Sequence, residues 1–223
     1  IEKVFLPLNE NIEVRIGILA SSISRFDQRV FREAFINALI HRDYRANGPI
    51  VIQINDKELK IASPGGFVYG VGLHNILSTG AKPRYPSLAS IIQQMHLAER
   101  ASRGIDIMFE IMLSSGGPAP DYSETNTSEV IVKISGEAPD LKFTRFVADE
   151  INRKQLHLRH EELLILSYLR NDSHVNADQL SKLIQKPVLD TQRVLNEMAS
   201  NRLINPYGRR VKTYSLSSRV CGA

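Results

Sequence analysis

The chain has 223 residues, of which 43% are hydrophobic and 23% are charged, and its formal net charge is +4. This composition excludes a disordered chain and is enough to bury one or two cores. Without an apolar run of membrane-span length or a charged-then-apolar leader, we expect a cytoplasmic protein outside the membrane. The lone Cys221 has no intramolecular partner, which suits a reducing compartment. Without a Cys-x-x-Cys pair or a His-Glu-x-x-His motif, no structural zinc site is expected.

Segment 32–44 predicts a largely buried helix that carries a polar stripe. Glu33, Asn37 and His41 recur every four residues, so they share one side of the helix. A carboxylate and an amide on a buried helix need hydrogen-bond partners. Those partners are either neighbouring backbone groups or a ligand, and this helix alone leaves both open. The apolar positions at helical spacing are Phe31, Ala34, Phe35, Ala38 and Leu39, with Ile36 and Ile40 beside the stripe.

Two short β-patterned runs follow the helix, at residues 50–56 and 58–62. A polar turn separates them, and Ser63-Pro64-Gly65-Gly66 comes directly after, so the pattern predicts a hairpin that ends in a glycine turn. The glycine-rich stretch 64–72 is either a mobile lid over a ligand or an ordinary surface loop. Lys82-Pro83-Arg84 either holds an anion or forms a solvated turn between helices.

Residues 114–120 predict a loop before an edge strand at 130–135. A linker is expected at 136–140, followed by a helix from about Leu141 to Lys154. Residues 1–140 carry 14 Lys and Arg against 16 Asp and Glu, whereas residues 141–223 carry 14 against 8. The basic C-terminal part suits phosphate neutralisation, although such an excess is more often only a solvated surface.

The C-terminal part predicts three helices and a hairpin. The first helix covers 160–170, and the second covers 176–184, with a capping box of Asn176 and Gln179. The third begins at Pro187 and ends at Asn201 and Arg202. Its predicted inward stripe is Val188, Thr191, Val194, Leu195 and Met198. The hairpin joins 203–205 to 211–216 through a turn at Pro206-Tyr207-Gly208, and Arg209 and Arg210 lie at its tip.

This order of elements resembles the winged helix-turn-helix of many bacterial transcriptional regulators. In that domain the third helix enters the major groove, which implies DNA contacts by Asp190, Gln192, Arg193 and Asn196. Arg209, Arg210 and Lys212 would meet the phosphate backbone or the minor groove. The alternative is a protein-docking module, because winged helices also serve that purpose.

A series of short motifs runs in fixed order along the first part of the chain. They are Arg32-Glu33-Ala34, Asn37-Ala38, His41-Arg42-Asp43-Tyr44, Pro64-Gly65-Gly66, Lys82-Pro83-Arg84 and Glu99-Arg100 with Gly104-Ile105. Over about residues 28–135 this series resembles the Bergerat-type (GHKL) nucleotide-binding fold, and more closely the domain of RecG-related or Schlafen-AlbA-type regulators. Because the sequence begins at Ile1 and not at a methionine, we expect a fragment, and the resemblance implies that an AlbA-type domain precedes it.

The resemblance implies a nucleotide site in which Glu33 is the catalytic base that orients water and Asn37 is a Mg²⁺ ligand. The implied cofactor-binding residues are Asn37, His41, Ser63, Gly65, Gly66, Arg103 and Gly104. Ser63 stands where the ATPases carry an acidic contact to adenine, and the second glycine box is reduced to residues 102–105. We therefore expect binding of ATP with Mg²⁺ or of another anion, or no cofactor at all, with at most a weak ATPase activity.

Together these observations predict an α+β protein. A GHKL-like α/β sandwich domain is expected at 1–138, and a linker helix with a winged helix-turn-helix domain at 139–223. The predicted function is that of a DNA-binding transcriptional regulator. Its first domain is expected either to sense a ligand or to serve as a dimerisation scaffold. The expected partners are double-stranded DNA and a second copy of the chain. The alternative is an ATP-dependent, DNA-associated ATPase of the GHKL type. A helicase is not expected, because the chain has no Gly-x-x-x-x-Gly-Lys-Ser/Thr loop.

Overall fold

The computed structural model describes residues 1–16, 19–97, 104–154, 157–172, 174–208 and 212–217. The chain starts with helix α1 (Glu2–Leu8) and an antiparallel pair of strands, β1 (Asn11–Ile16) and β2 (Leu19–Ser24), which the sequence pattern does not predict. Phe5 of α1 stacks on Phe31 of the next helix with ring centroids 3.8 Å apart, so this segment is fixed to the core.

Helix α2 (Gln28–His41) is the predicted polar-striped helix. Its N-cap is Asp27, whose Oδ1 accepts hydrogen bonds from the backbone N–H groups of Arg29 at 2.7 Å and Val30 at 3.3 Å. Most of its apolar side chains are buried, and Glu33 is buried with them at 7% exposure. The predicted burial of this helix is therefore confirmed.

The predicted hairpin is β3 (Val51–Ile54) with β4 (Glu58–Pro64), and β4 also pairs with β5 (Glu129–Ser135). The three antiparallel strands have the order β3-β4-β5, so β5 is an edge strand, as expected. Along β4 every second side chain is buried, and this buried row ends at Ser63. The alternation places Ser63 beneath α2.

Two further helices complete this part of the molecule, α3 (Pro86–Gln94) and α4 (Gly104–Ser114). Helix α4 packs against α2, which places its first residue next to the polar stripe. The long connection between β4 and α3 lies beside the same stripe. A site is therefore formed where α2, α4 and this connection meet.

The C-terminal part contains α5 (Leu141–Lys154), α6 (His160–Leu169), β6 (Val175–Asn176), α7 (Ala177–Leu183), α8 (Val188–Ser200), β7 (Ile204–Tyr207) and β8 (Thr213–Leu216). The three strands are antiparallel in the order β6-β8-β7. The predicted capping box is confirmed, since Asn176 Oδ1 accepts from Gln179 N at 2.9 Å and Gln179 Oε1 accepts from Asn176 N at 3.1 Å.

Two details differ from the predictions. The predicted turn at Pro206-Tyr207 is wrong, because both residues lie in β7, with Pro206 opposite Tyr214. The Tyr214 carbonyl accepts a hydrogen bond from His174 N, so the backbone groups of Tyr214 face β6 and not β7. Pro206 and Tyr214 are therefore an antiparallel pair without hydrogen bonds between them. The Pro206 nitrogen points away from β8, and the sheet loses no hydrogen bond there. Val188, the first residue of α8, is 38% exposed and does not join the inward stripe of that helix.

The mixed α+β class is confirmed, with helices packed on small antiparallel sheets. Helix α4 also packs against α6, and apolar residues from both sides of position 138 belong to one continuous core. Within the described ranges, no helix is long and apolar enough to cross a membrane.

Candidate functional site: a cavity beside helix α2

A cavity of about 550 Å³ lies between α2, the inner face of β4 and β5, the first turn of α4 and the connection from β4 to α3. Its volume is within the usual range of small-molecule sites. The predicted site residues that line it are Glu33, Asn37, His41, Ser63, Gly66 and Gly104. Gly65 does not line it, and Arg103 lies outside the described residues. The polar stripe of α2 therefore faces a cavity of ligand size.

Glu33 and Asn37 meet the start of α4 because that helix begins with glycine. A Cβ on Gly104 would lie 2.9 Å from Glu33 Oε2 and 3.1 Å from both terminal atoms of Asn37. A larger residue would press on both side chains. In the described part of the chain, the buried Asn37 Nδ2 donates no hydrogen bond. The amide therefore offers a donor to a molecule bound in the cavity.

His41 ends the polar stripe at the other side of the cavity. Burial lowers the pKa of its imidazole, and the positive charge of Arg84 lowers it further. The pKa of a histidine is ordinarily close to neutral pH, so this lowering favours the neutral imidazole at pH 7. It therefore contributes a neutral polar group and no counter-charge for an anion.

Ser63 is buried against α2, and its hydroxyl donates a hydrogen bond to the Ala38 carbonyl at 2.9 Å. Its oxygen still has acceptor capacity towards the cavity. It lacks the negative charge of the carboxylate that the resemblance would place here. An amino group on a ligand would therefore meet a neutral acceptor.

The glycine turn after β4 has a structural explanation. Gly65 has φ +93°, and a Cβ there would lie 2.5 Å from Asp43 Cβ. A Cβ on Gly66 would lie 2.8 Å from the carbonyl oxygens of Asn126 and Thr127. The Gly65 N–H donates to the Ser128 carbonyl at 2.7 Å, so this group is used within the protein. Gly65 lies outside the lining of the cavity beside α2, and its contact with a cofactor stays a prediction.

A charged network on the far side of that turn joins three of the sequence motifs. Asp43 accepts a hydrogen bond from Tyr85 Oη at 2.9 Å, and its Oδ2 lies 3.7 Å from Arg84 Nη1. Hydrogen bonds from the Arg45 side chain and backbone, and then from Tyr85, hold the pKa of Asp43 well below its usual range. Arg84 Nη2 donates to the Gly66 carbonyl at 2.6 Å. Arg84 is therefore engaged within the protein, whereas Lys82 lines the cavity, so both alternatives for 82–84 stay open.

The predicted DNA-contacting residues of α8 lie on its outer side. Gln192, Arg193 and Asn196 are exposed, and Asp190 accepts a hydrogen bond from Arg193 Nη1 at 3.0 Å. Lys212 is exposed just before β8. The predicted contacts at Arg209 and Arg210 fall outside the described residues.

Sequence reasoning missed Gln185, which lies between α7 and α8 and has φ +56°. Its Oε1 accepts a hydrogen bond from Leu77 N at 2.8 Å, and its Nε2 donates to the Leu73 carbonyl at 2.8 Å. Leu77 lines the cavity. A glutamine in a polar turn carries no sequence signal for such a contact, because its partners are backbone groups more than 100 positions away.

A second contact links the two parts of the molecule. Asp106, which lines the cavity from α4, lies 3.5 Å from His160 Nδ1 on α6. The neighbouring Glu161 is 2% exposed and pairs with Lys186 and Arg159. Among the described residues, no group of three or more His, Cys, Asp or Glu could hold a metal ion. A Mg²⁺ ion here would depend on Asn37 together with oxygens of a ligand.

A comparison with protein families supports an ATPase-like domain in the part of the chain before α5. Residues 47–134 match the model of a family described as "Putative ATP-dependent DNA helicase recG C-terminal". This match supports a RecG-related, ATPase-like domain. The matched range includes Ser63 and Gly104 but begins after Glu33 and Asn37.

The crystal structure of the DIP2311 protein from Corynebacterium diphtheriae is similar to 99% of this chain, with a TM-score of 0.85 and 24% sequence identity. The chain spans 45% of the length of that protein chain. At this identity the likeness shows a shared fold alone. A comparison with curated proteins gives no match.

Proposed function

We propose that this chain is a DNA-binding transcriptional regulator. Its GHKL-like domain binds a nucleotide or another anion without turning it over, and a winged helix-turn-helix binds double-stranded DNA. The observation that carries the proposal is the element order α6-β6-α7-α8-β7-β8 with the sheet order β6-β8-β7. In a winged helix-turn-helix with this order, the third helix enters the major groove and the last two strands form the wing.

The outer side of α8 supports a DNA contact. Gln192 and Asn196 are four residues apart and exposed, so both amides face the same way and suit base edges. Asp190 would repel a phosphate, but it accepts a hydrogen bond from Arg193 Nη1 at 3.0 Å, which orients the guanidinium. A guanidinium held in this way is suited to a bidentate contact with guanine. Asp190 is therefore a positioning residue for Arg193.

The cavity supports the binding of an anionic ligand. Asn37 Nδ2, which has no acceptor among the described residues, and the N-terminus of α4, a helix of 11 residues, meet at Gly104. Backbone N–H groups and the helix dipole favour negative charge at that end. A bound Mg²⁺ would offset the charge of phosphate groups, and Asn37 is the residue that fits it. At the other end, Ser63 would accept a hydrogen bond from a base amino group.

Binding without turnover follows from what the site lacks. The contact at Ser63 is neutral, so it holds a base less firmly than a carboxylate would. The reduced glycine box at 102–105 offers one glycine for an unusual backbone angle, and therefore a poorer cradle for phosphates. The second candidate function is a true DNA-associated ATPase, which the buried Glu33 carboxylate beside Gly104 favours.

DNA binding is tested by fluorescence anisotropy over a salt series, on a random-sequence duplex and on a site selected from a random pool. Replacing Arg209 and Arg210 with alanine should weaken binding similarly on both duplexes and lower the salt-dependence slope by roughly two, at about 0.9 per phosphate contact. Gln192→Ala or Arg193→Ala should instead reduce discrimination between the duplexes, by about 1–3 kcal/mol for a bidentate base contact.

Arg145→Ala, which removes an exposed arginine from α5, is the matched control. Melting curves of all variants separate loss of contacts from loss of folding. An unaltered affinity and salt slope in the double wing variant would contradict the phosphate contacts. The protein-docking interpretation of this domain would then be preferred.

A further inference from the structure

The turn between α7 and α8 is attached to the wall of the cavity. Gln185 makes two hydrogen bonds of 2.8 Å, one to Leu77 N and one to the Leu73 carbonyl. Its amide thus satisfies one donor and one acceptor of the same loop. We call this the docked arrangement, in which Gln185 is bonded to both leucines.

The same loop forms part of the cavity surface. Ile76 and Leu77 both line the cavity, and Ile76 is 9% exposed. A ligand that fills the cavity would contact these side chains from within. It would therefore support the loop from the side opposite to Gln185.

The turn that carries Gln185 is also attached to α8, so we expect the turn and the start of α8 to move together. Thr191 in the first turn of α8 donates from its Oγ1 to the Pro187 carbonyl at 3.1 Å, and its backbone N–H donates to the same oxygen at 2.9 Å. Lys186 pairs with the buried Glu161 of α6. A displacement at Gln185 would therefore be passed directly to the start of α8.

We infer that occupancy of the cavity and DNA binding by α8 are coupled through the side chain of Gln185. This inference rests on the proposed function, because it requires both a cavity ligand and a DNA contact. The docked arrangement is the state that both ligands favour. By linkage, each then raises the affinity for the other by the same factor.

The charge of the docked loop is compatible with a coupling in which each ligand strengthens the binding of the other. Residues 66–80, which include the docked loop, contain no Asp or Glu. DNA beside α8 would therefore meet no carboxylate from this loop. Docking fixes the start of α8 without placing negative charge next to the phosphates.

The test uses Gln185→Asn, which keeps the amide but shortens it by one methylene. Asparagine is well tolerated at positive φ, so the variant does not add backbone strain. The matched control is Gln94→Asn, the same change at the exposed end of α3. Melting curves verify that both variants fold.

The first measurement is DNA affinity with and without a saturating non-hydrolysable ATP analogue and Mg²⁺, on a random-sequence duplex. The wild type and the Gln94 variant should bind DNA about fivefold or more tightly with the analogue, the lower range of allosteric coupling. Gln185→Asn, whose side chain is too short to form the docked arrangement, should bind the analogue more weakly and, once saturated with it, lose the enhancement. Full enhancement in Gln185→Asn would overturn the inference while leaving the proposed function intact.

The second measurement, hydrogen exchange at the Leu77 amide, needs no nucleotide. Its exchange rate should rise about tenfold in Gln185→Asn, within the range expected for loss of one hydrogen bond. Adding the DNA duplex should slow this exchange in the wild type and not in the variant. DNA that binds without changing exchange at Leu77 would overturn the inference alone, whereas absence of DNA binding would overturn the proposed function and the inference with it.

Discussion

Asn37 is the residue whose replacement tests the ligand site most directly, because its buried Nδ2 has no acceptor among the described residues. We expect Asn37→Ala to weaken binding of Mg²⁺ with a non-hydrolysable ATP analogue by about tenfold or more, as for loss of a hydrogen bond to a charged group. Isothermal titration calorimetry measures this change. Asn47→Ala, in the exposed loop after α2, is the control.

The same preparation is assayed for phosphate release from ATP, which should be absent or very slow. Robust turnover that disappears in Glu33→Ala would contradict binding without hydrolysis. It would establish the ATPase alternative.

Asp43 should make stability depend on pH. Its folded-state pKa is lowered from an ordinary value of 3.8 by hydrogen bonds from Arg45 and then Tyr85. A lowered carboxyl pKa contributes stability above about pH 4, and this contribution is lost as the pH falls through the folded-state pKa. The wild type should therefore be more stable than Asp43→Asn at pH 7, by a margin that shrinks below pH 4. Urea unfolding at pH 7, 5 and 3 measures the difference in unfolding free energy between the two proteins.

Asp149→Asn, at an exposed carboxylate on α5, controls for the loss of surface charge. A margin for Asp43→Asn that stays constant down to pH 3 would mean that packing, and not charge, accounts for the difference.

At the residue scale, spacing could identify part of the site. The four-residue repeat of Glu33, Asn37 and His41 places them on one side of a helix, and all three line the cavity. The roles of Gly65 and Gln185 could not be predicted, because both depend on tertiary neighbours. The glycine meets Asp43, and the glutamine meets the loop between β4 and α3.

At the element scale, the sequence predicts helices and strands well where the local signals are strong. The capping box of α7 and the alternation of β4 are encoded within a few residues, and both are confirmed. Strand β7 could not be predicted, since Pro206 ordinarily indicates a turn and only its outward position in the sheet permits it. Helix α1 and strands β1 and β2 also lack a strong local pattern.

The capping box gives an element-scale prediction. Asn176→Ala removes the side chain that accepts from Gln179 N at the start of α7, which should cost about 1 kcal/mol of unfolding free energy. Urea denaturation measures the change, and Asn171→Ala in the exposed turn after α6 is the control. Equal stability of the two variants would contradict a stabilising role for the cap.

At the scale of the whole molecule, the core runs from α4 into α6, so the ATPase-like part and the C-terminal part are packed together. Under the proposed function, α8 alone would contact only a few base pairs, which is too few to specify a genomic site. We therefore expect a homodimer that binds an inverted repeat. Light scattering of the protein alone and with DNA tests this, and a monomer in both conditions would contradict it.

Pro206 affects how readily copies of this chain pair with one another at high concentration. In the part of the chain that the structure describes, β7 is the outer strand of its sheet, and Pro206 turns its nitrogen towards the open side. An open strand edge normally presents N–H groups that can recruit a strand from another molecule and seed aggregation. Here that position has no hydrogen to offer. Molecules of this chain at high local concentration would thus find one N–H group fewer for pairing along this edge.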